Sequence, residues 1–425
     1  MVPEGWITRD LGELITYKKG FAFTSADYSD SGVRIIRISD TTRDSVNSEN
    51  PVYIPNEVAT KLDAHLLSTG DILLTTVGSR PHLIDSMVGK VIRVPPAVSG
   101  SLLNQNLVKL IPIEGQVTTE YLFEILRKPK FRHYISTLVR GNANQVSISL
   151  SDLFKYKALI PNVREQKKIA QILSTWDKAI TTTEQLLANS QQQKKALMQQ
   201  LLTGKKRFNF PPGSYNFITT RYGYIPEDWN YPEIKDICSQ ITEKNTFNSD
   251  YPVLSCSKYE GFVDSLKYFK KKVYSSDTSG YRVIRRGDFG FPANHIEEGS
   301  IGLQKDYDSG LVSPIYVVFR ASRDKVVNEY LYAVLKTDHY KQIFSAATNA
   351  SVDRRGSLRW KEFSKIRVPL PSLKEQQEIA TILSSAEQEI VNLKNKLDAL
   401  KSEKKALMQQ LLTGKRRVKV DEEAA

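Results

Sequence analysis

The sequence predicts an α+β fold. Two mixed α/β bodies are joined and separated by two long antiparallel helices that form a coiled coil, and the whole is a pseudo-two-fold internal repeat. Two observations carry this. The twelve residues Lys194–Lys205, KKALMQQLLTGK, return unchanged as Lys404–Lys415, 210 residues later. Around each copy, apolar residues recur at the three-and-four spacing of a helix seam. Chance does not produce such an identity. Two copies so far apart are too few for a solenoid, so the reading is an internal dimer.

The 425 residues divide into a first body at 1–160, a first helix at 161–208, a second body with its linker at 209–370, a second helix at 371–418 and a tail at 419–425 expected to be disordered. The halves open alike, with Val2-Pro-Glu-Gly-Trp6 and Ile225-Pro-Glu-Asp-Trp229. In the first body, Val33–Ser39, Asp71–Val77 and Leu107–Pro112 are short, β-branched and bounded by turn formers, so they read as strands. Tyr121–Arg127 and Tyr330–Lys336 read as short helices, and Phe208–Ser214 as a turn-rich linker.

The helices follow from their stripes. In the second, Ile379, Ile382, Ala386, Leu393, Leu397, Leu400, Leu407 and Leu411 form the predicted seam. In the first, Ile169, Ile172, Trp176, Ile180, Thr183, Leu187, Leu197 and Leu201 do so, diluted by Gln and Ser. Pro161 and Pro371 precede the helices, where proline is tolerated. Gly204 and Gly414 end them, and basic triplets follow at the negative end of each dipole. Each helix runs about 40 residues, or about 60 Å, and cannot bury its stripe alone. The other copy is the natural partner, and the return of the chain makes antiparallel packing the better fit.

Composition narrows the function. A net charge of +13 and a pI near 9.4 favour a polyanionic partner, of which nucleic acid is the commonest. No apolar run of about 18 residues exists, so no membrane span is expected. The opening residues lack a signal-peptide layout. Cys238 and Cys256 are the only cysteines, which suggests a reducing cytoplasm and no structural zinc. There is no GxxxxGK[ST] loop, no GxGxxG, no HExxH and no GxSxG elbow. The five histidines are scattered. No catalytic or metal-ligating constellation is present, so a binding or scaffold subunit is expected.

Two strings place the chain more sharply. Pro161-Asn-Val-Arg-Glu-Gln-Lys-Lys-Ile-Ala170 and Pro371-Ser-Leu-Lys-Glu-Gln-Gln-Glu-Ile-Ala380 each open a long helix behind a diverged body. With the repeated Leu-Met-Gln-Gln-Leu-Leu-Thr-Gly-Lys tails, the whole chain closely resembles the specificity (S) subunit of type I restriction–modification systems. The resemblance implies two target-recognition domains, each reading half of a bipartite, asymmetric site in double-stranded DNA. It implies a coiled coil that fixes the gap between them. It also implies two docked adenine-methyltransferase (M) subunits using S-adenosylmethionine, and restriction (R) subunits using ATP and Mg²⁺. The chain itself would be non-catalytic and bind no cofactor. The competing readings are a stand-alone two-domain DNA-binding regulator and a fused enzyme; the missing motifs argue against the second.

Base-reading residues are chosen by chemistry, since Arg suits guanine and Asn or Gln suits adenine in bidentate geometry. In the first body the candidates are Thr41, Arg43, Ser79, Arg80, His82, Arg140, Asn142, Asn144 and Gln145. In the second they are Lys258, Tyr259, Asn294, His295, Asn349, Arg354 and Arg355. Arg127–Arg132 and Lys267–Lys272 are candidate phosphate-facing stretches.

Overall fold

The computed structural model describes residues 2–47, 49–79, 88–141, 146–208, 210–211, 213–221, 223–247, 249–349 (the Asn349 side chain excepted) and 356–420. It divides into two compact units. Unit 1 comprises Met1–Glu184 with Lys396–Ala425, and unit 2 comprises Gln185–Asn395. Each long helix, Val163–Leu201 and Leu373–Leu411, is divided between the units. Of the tail expected to be disordered, residues 421–425 lie outside the described residues. No described helix is long and apolar enough to cross a membrane.

The centre of unit 1 is a four-stranded antiparallel sheet in the order Ile15–Lys19, Leu107–Pro112, Ile72–Thr75, Val91–Arg93. Unit 2 has a four-stranded sheet of the same order, Cys238–Ile241, Tyr316–Ala321, Phe289–Pro292, Gly302–Leu303. Leu107–Pro112 forms over its expected range, whereas the other two expected strands contract to Val33–Ile36 and Ile72–Thr75. The expected short helices run Thr119–Leu126 and Asn328–Leu335. Each carries a fully buried tyrosine whose hydroxyl is spent on a carbonyl just ahead of the long helix. Tyr121 donates to Leu159 at 3.0 Å and Tyr330 to Pro369 at 2.9 Å.

Each core takes the first turns of one long helix and the last turns of the other. In unit 1, Ile169 and Leu173 join Leu411 and Leu412 around Tyr121. In unit 2, Ile379 and Leu383 join Leu201 and Leu202 around Tyr330. The packing is antiparallel in both. In unit 1, Asp177 pairs with Lys404 and Glu184 with Lys401. In unit 2, Lys194 pairs with Glu387, and Ser190 donates to Glu389 at 3.3 Å.

The stripe differs in detail from the one expected. In the first helix it steps through Ile169, Leu173, Trp176, Ile180, Thr183, Leu187, Ser190, Lys194, Leu197 and Leu201, alternately four and three apart. In the second it steps through Ile379, Leu383, Ala386, Ile390, Leu393, Leu397, Leu400, Lys404, Leu407 and Leu411. This is an unbroken 3.5-residue repeat. Ile172 and Ile382 stand one place off it and pack, half-buried, against the body of their own unit. Their apolar character reflects that second face.

The Glu-Gln pair that opens each helix has two separate jobs. Gln166 accepts from the Thr118 amide at 2.8 Å and donates to the Gln116 and Pro161 carbonyls at 3.1 and 3.0 Å. Gln376 repeats this with Val327, Lys325 and Pro371, at 2.9, 3.1 and 2.9 Å. One buried amide thereby ties the long helix to the loop ahead of the short one. The glutamates hold the arginine that follows the repeated block. Arg417 reaches Glu165 at 2.7 and 2.9 Å, and Arg207 reaches Glu375 at 2.8 and 2.8 Å. Arg207 is buried, which opposes its charge, but bonds to Glu375 and Asp228 outweigh this and raise its pKa. A tryptophan lies beneath each clasp; Trp6 donates to Glu165 at 3.1 Å, whereas the Trp229 indole N–H has no hydrogen-bond partner among the described residues. Gly204 and Gly414 hold φ of +68° and +67°, and a Cβ on either would strike Pro226 or Pro3 at 2.3 or 2.4 Å.

Candidate nucleic-acid interface

The two candidate loops of unit 1 leave a common ladder. Beyond the strand Ile72–Thr75, Val77-Gly78 pairs with Val146-Ser147, and the Ile148 amide donates to Thr76 at 3.2 Å. The loop entered at Ser79 and the loop ending at Val146 are thus anchored side by side although they are distant in sequence. Ser79 is half-buried, and its carbonyl accepts from Val88 at 2.9 Å, closing the first loop. Arg80, His82, Asn142, Asn144 and Gln145 lie outside the described residues. Arg140 is exposed, but its backbone is bridged to Ser147 and its guanidinium rests on Asp152 at 2.6 Å.

Unit 2 builds the same join with different residues. The Leu358 amide donates to Ala293 at 2.8 Å, which anchors the loop after Phe289–Pro292 beside the one that ends before Leu358. Asn294 is half-buried, and exposed His295 sits 3.3 Å from Glu298. Arg354 and Arg355 lie outside the described residues, as does the Asn349 side chain. Lys258 and Tyr259 form the tip of the hairpin Leu254–Ser257 and Gly261–Asp264. Tyr259 is 85% exposed, with the Lys258 ammonium 5.4 Å from its ring centroid. Lys336 donates to the Lys258 carbonyl at 2.8 Å and the Gly299 carbonyl at 3.0 Å, tying this tip to the turn that carries His295. Four candidates are therefore gathered at one edge. In the stretch Lys267–Lys272, Lys267 is largely exposed, and Tyr268 and Phe269 pack edge-on with centroids 5.0 Å apart.

Thr41 does not stand where a base could reach it. It is buried, its hydroxyl donates to the Ile38 carbonyl at 2.6 Å, and its own carbonyl accepts from Lys90 at 3.1 Å. Its role is to close the turn that follows Val33–Ile36. A polar residue after a strand end gives no warning of such inward use.

Arg43 lines a cleft of about 930 Å³ in unit 1. Arg127, Lys128, Lys130 and Arg132 share the lining, with Lys90 from the sheet side and Lys401, Lys404 and Lys405 from the end of the second long helix. Lys90 and Lys405 carry no signal in the sequence; one is buried at a strand end and the other lies in a lysine-rich helix. Burial, then the neighbouring Lys130, pushes the Lys128 ammonium down to about 8, and Lys128 donates to the Leu412 carbonyl at 2.8 Å. Unit 2 has an equivalent pocket of about 580 Å³. Lys194, Lys195, Met198, Gln199 and Thr203 line it as Lys404, Lys405, Met408, Gln409 and Thr413 line the first. Those five helix positions are thus the same in both pockets, whereas Lys401 of the first is matched by Gln191 in the second and the body walls differ.

The model of the type I restriction modification DNA specificity domain matches residues 3–189 and 226–402. The proposed specificity subunit of the type I restriction enzyme MjaX, from Methanocaldococcus jannaschii, is 26% identical over 98% of this chain and 95% of its own. The MjaVIII specificity subunit of the same organism is 24% identical over 98% and 94%. The crystal structure of the type I restriction-modification S subunit from M. genitalium superimposes with a TM-score of 0.59 at 13% identity, covering 96% of each chain, and so shares the fold. The chain belongs to the type I restriction modification DNA specificity family.

Proposed function

We propose that this chain is the DNA-recognition subunit of a type I restriction–modification complex, reading a bipartite asymmetric site with one half-site assigned to each body. The observation that carries the reading is the contrast between repeated and diverged walls. The helix ends and their Glu-Gln clasps recur residue for residue, which suits two copies of one partner. The anchored loop pairs leave equivalent joins but differ in sequence, which suits two different base sequences.

In this reading the repeated faces scaffold two adenine-methyltransferase subunits, and through them restriction subunits. S-adenosylmethionine, ATP and Mg²⁺ belong to those subunits, and this chain works in the cytoplasm without chemistry of its own. The long helices set the gap between the half-sites, expected to be about one turn of DNA, roughly 34 Å.

Methylome sequencing of cells carrying the chain and its methyltransferase tests this directly. The expected result is one split motif with two unlike halves. Adding one heptad to each long helix, after Glu184 and after Asn395, keeps the seam in register and is expected to lengthen the gap while both halves stay the same. A continuous motif, or methylation by the isolated chain, would overturn the reading. The regulator alternative predicts tight specific binding by the chain alone, which a mobility shift without methyltransferase measures.

A further inference from the structure

The cleft of unit 1 holds more positive charge than its own carboxylates can neutralise. Asp44 and Asp177 are taken by Arg127, at 2.9 and 3.1 Å, and Asp177 also by Lys404. Glu184 is taken by Lys401 at 2.7 Å. This leaves Arg43, Lys128, Lys130, Arg132 and Lys405 lining the same space, and among the described residues none of the five has a carboxylate partner. Burial, then Arg43 and Arg127, lowers the Arg132 pKa, as expected for a guanidinium facing other cations.

The equivalent place in unit 2 has a smaller excess, with Lys195, Lys205 and Lys336 beside the single carboxylate Asp338 and no arginine in the lining. Where unit 1 has Lys128-Pro129-Lys130 opening the helix Pro129–Leu138, unit 2 has Thr337-Asp338-His339 opening Asp338–Asn349. There the Thr337 hydroxyl accepts from the Tyr340 amide at 3.2 Å, and Asp338 supplies the negative charge that a helix start favours. The extra cations of unit 1 come mainly from the diverged body, not from the repeated helix. A partner that docks twice on the repeated surface would meet them only once, so they point away from that partner and towards the DNA, which each body meets with its own residues.

We propose that this cleft seats a phosphate of the DNA backbone, held by Arg43 and Arg132 with Lys128 and Lys130 beside them. The proposal rests on the DNA-recognition reading above. The site adds affinity and register on one half of the target and reads no base. Guanidinium groups suit it because their planar fork matches a phosphate in bidentate fashion.

The test uses the chain purified with its co-expressed methyltransferase, as wild type, R43A/R132A and R43K/R132K. Binding to a duplex carrying the methylated motif and to a scrambled duplex is measured from 50 to 250 mM salt. R43A/R132A is expected to lose roughly tenfold or more on both duplexes, with a log–log salt slope shallower by about 1, since each phosphate contact contributes about 0.9. The lysine pair is expected to recover most of the slope, and the methylated sequence is expected to stay the same. An unchanged slope overturns the proposal. So does a changed methylation motif, which would mean base reading, or loss of methyltransferase from the complex, which would mean that the cleft holds an acidic protein segment. If wild type fails to prefer its motif over the scrambled duplex, the recognition reading fails instead.

Discussion

Asp177 of one long helix and Lys404 of the other form an ion pair in unit 1, and the same pair recurs in unit 2 as Glu387 and Lys194, each residue displaced by 210 positions. The lysine occupies a seam position in both, within the block that repeats without change. Such a charge inside a coiled coil specifies register and orientation at some expense of stability. Replacing Lys404 with Glu should destabilise unit 1 by about 3 kcal/mol, the typical result of leaving a buried charge unpaired. Adding Asp177→Lys should restore part of it, because Asp177 also holds Arg127 at 3.1 Å. Chemical denaturation of both variants checks this; additive losses would mean that the pair does not set the register.

The clasp on Glu165 gives a second expectation. Its carboxylate is almost fully buried and takes bonds from Arg417 and the Trp6 indole. Glu165→Leu should free the chain end and the opening residues together, at a loss of about 2–4 kcal/mol. Hydrogen exchange over residues 2–10 and 414–420 should rise in concert. If only one segment loosens, the two are not held by this carboxylate.

Gln166→Leu and Gln376→Leu should each strand one amide and one carbonyl on the loop ahead of the short helix and the proline carbonyl ahead of the long one, an expected loss of about 1–3 kcal/mol. Because the two sets are nearly superposable in length, the two variants should cost nearly the same. A large difference in denaturant midpoint would show that the amides are not equivalent.

Lys128 sets a pH dependence. Its pKa is held down to about 8 by burial, with Lys130 on the same helix adding repulsion, while Arg43, Arg127, Arg132 and Lys405 share its cleft. As pH rises from 7 to 9 the ammonium is lost, so DNA affinity should fall by several-fold, and Lys128→Met should flatten that dependence. Stability runs the other way. A cation with a depressed folded pKa contributes stability at high pH that is lost as pH falls through about 8. Wild type should therefore gain on Lys128→Met as pH rises, a trend that melting curves at pH 7 and 9.5 would show.

The hairpin tip gives a local prediction. Tyr259→Ala should weaken methylation at one half-site and spare the other, because Tyr259 stands exposed at the tip tied to the turn carrying His295. Competition with duplexes altered in one half at a time would measure it. Equal loss at both halves would place Tyr259 outside base reading.

The repeat, the two bodies and the long helices were legible because they rest on identity and periodicity, which survive in a linear string. The seam was legible only in part. Ile172 and Leu173 are both apolar, and only the packed body shows that Leu173 continues the stripe into the core of unit 1 while Ile172 packs half-buried beside it. Ser190 and Lys194 hold seam positions that no hydrophobic pattern would assign. The Glu-Gln motif announced a helix start but not its partners, because Arg417 is 252 residues from Glu165. The pairing of the two loops in each unit was equally hidden, since it depends on the short ladder through Gly78 and Val146.

The division of the long helices between the units sets an order of assembly during synthesis. Everything in unit 2 has been translated once Asn395 leaves the ribosome, whereas unit 1 still lacks the turns carrying Lys404 and Leu411 and the arginine that closes on Glu165. The part begun first is finished last. Until Leu411 and Arg417 emerge, the core around Trp6 lacks two of its partners, and a chain cut short after Asn395 would carry one completed head and one unsealed one.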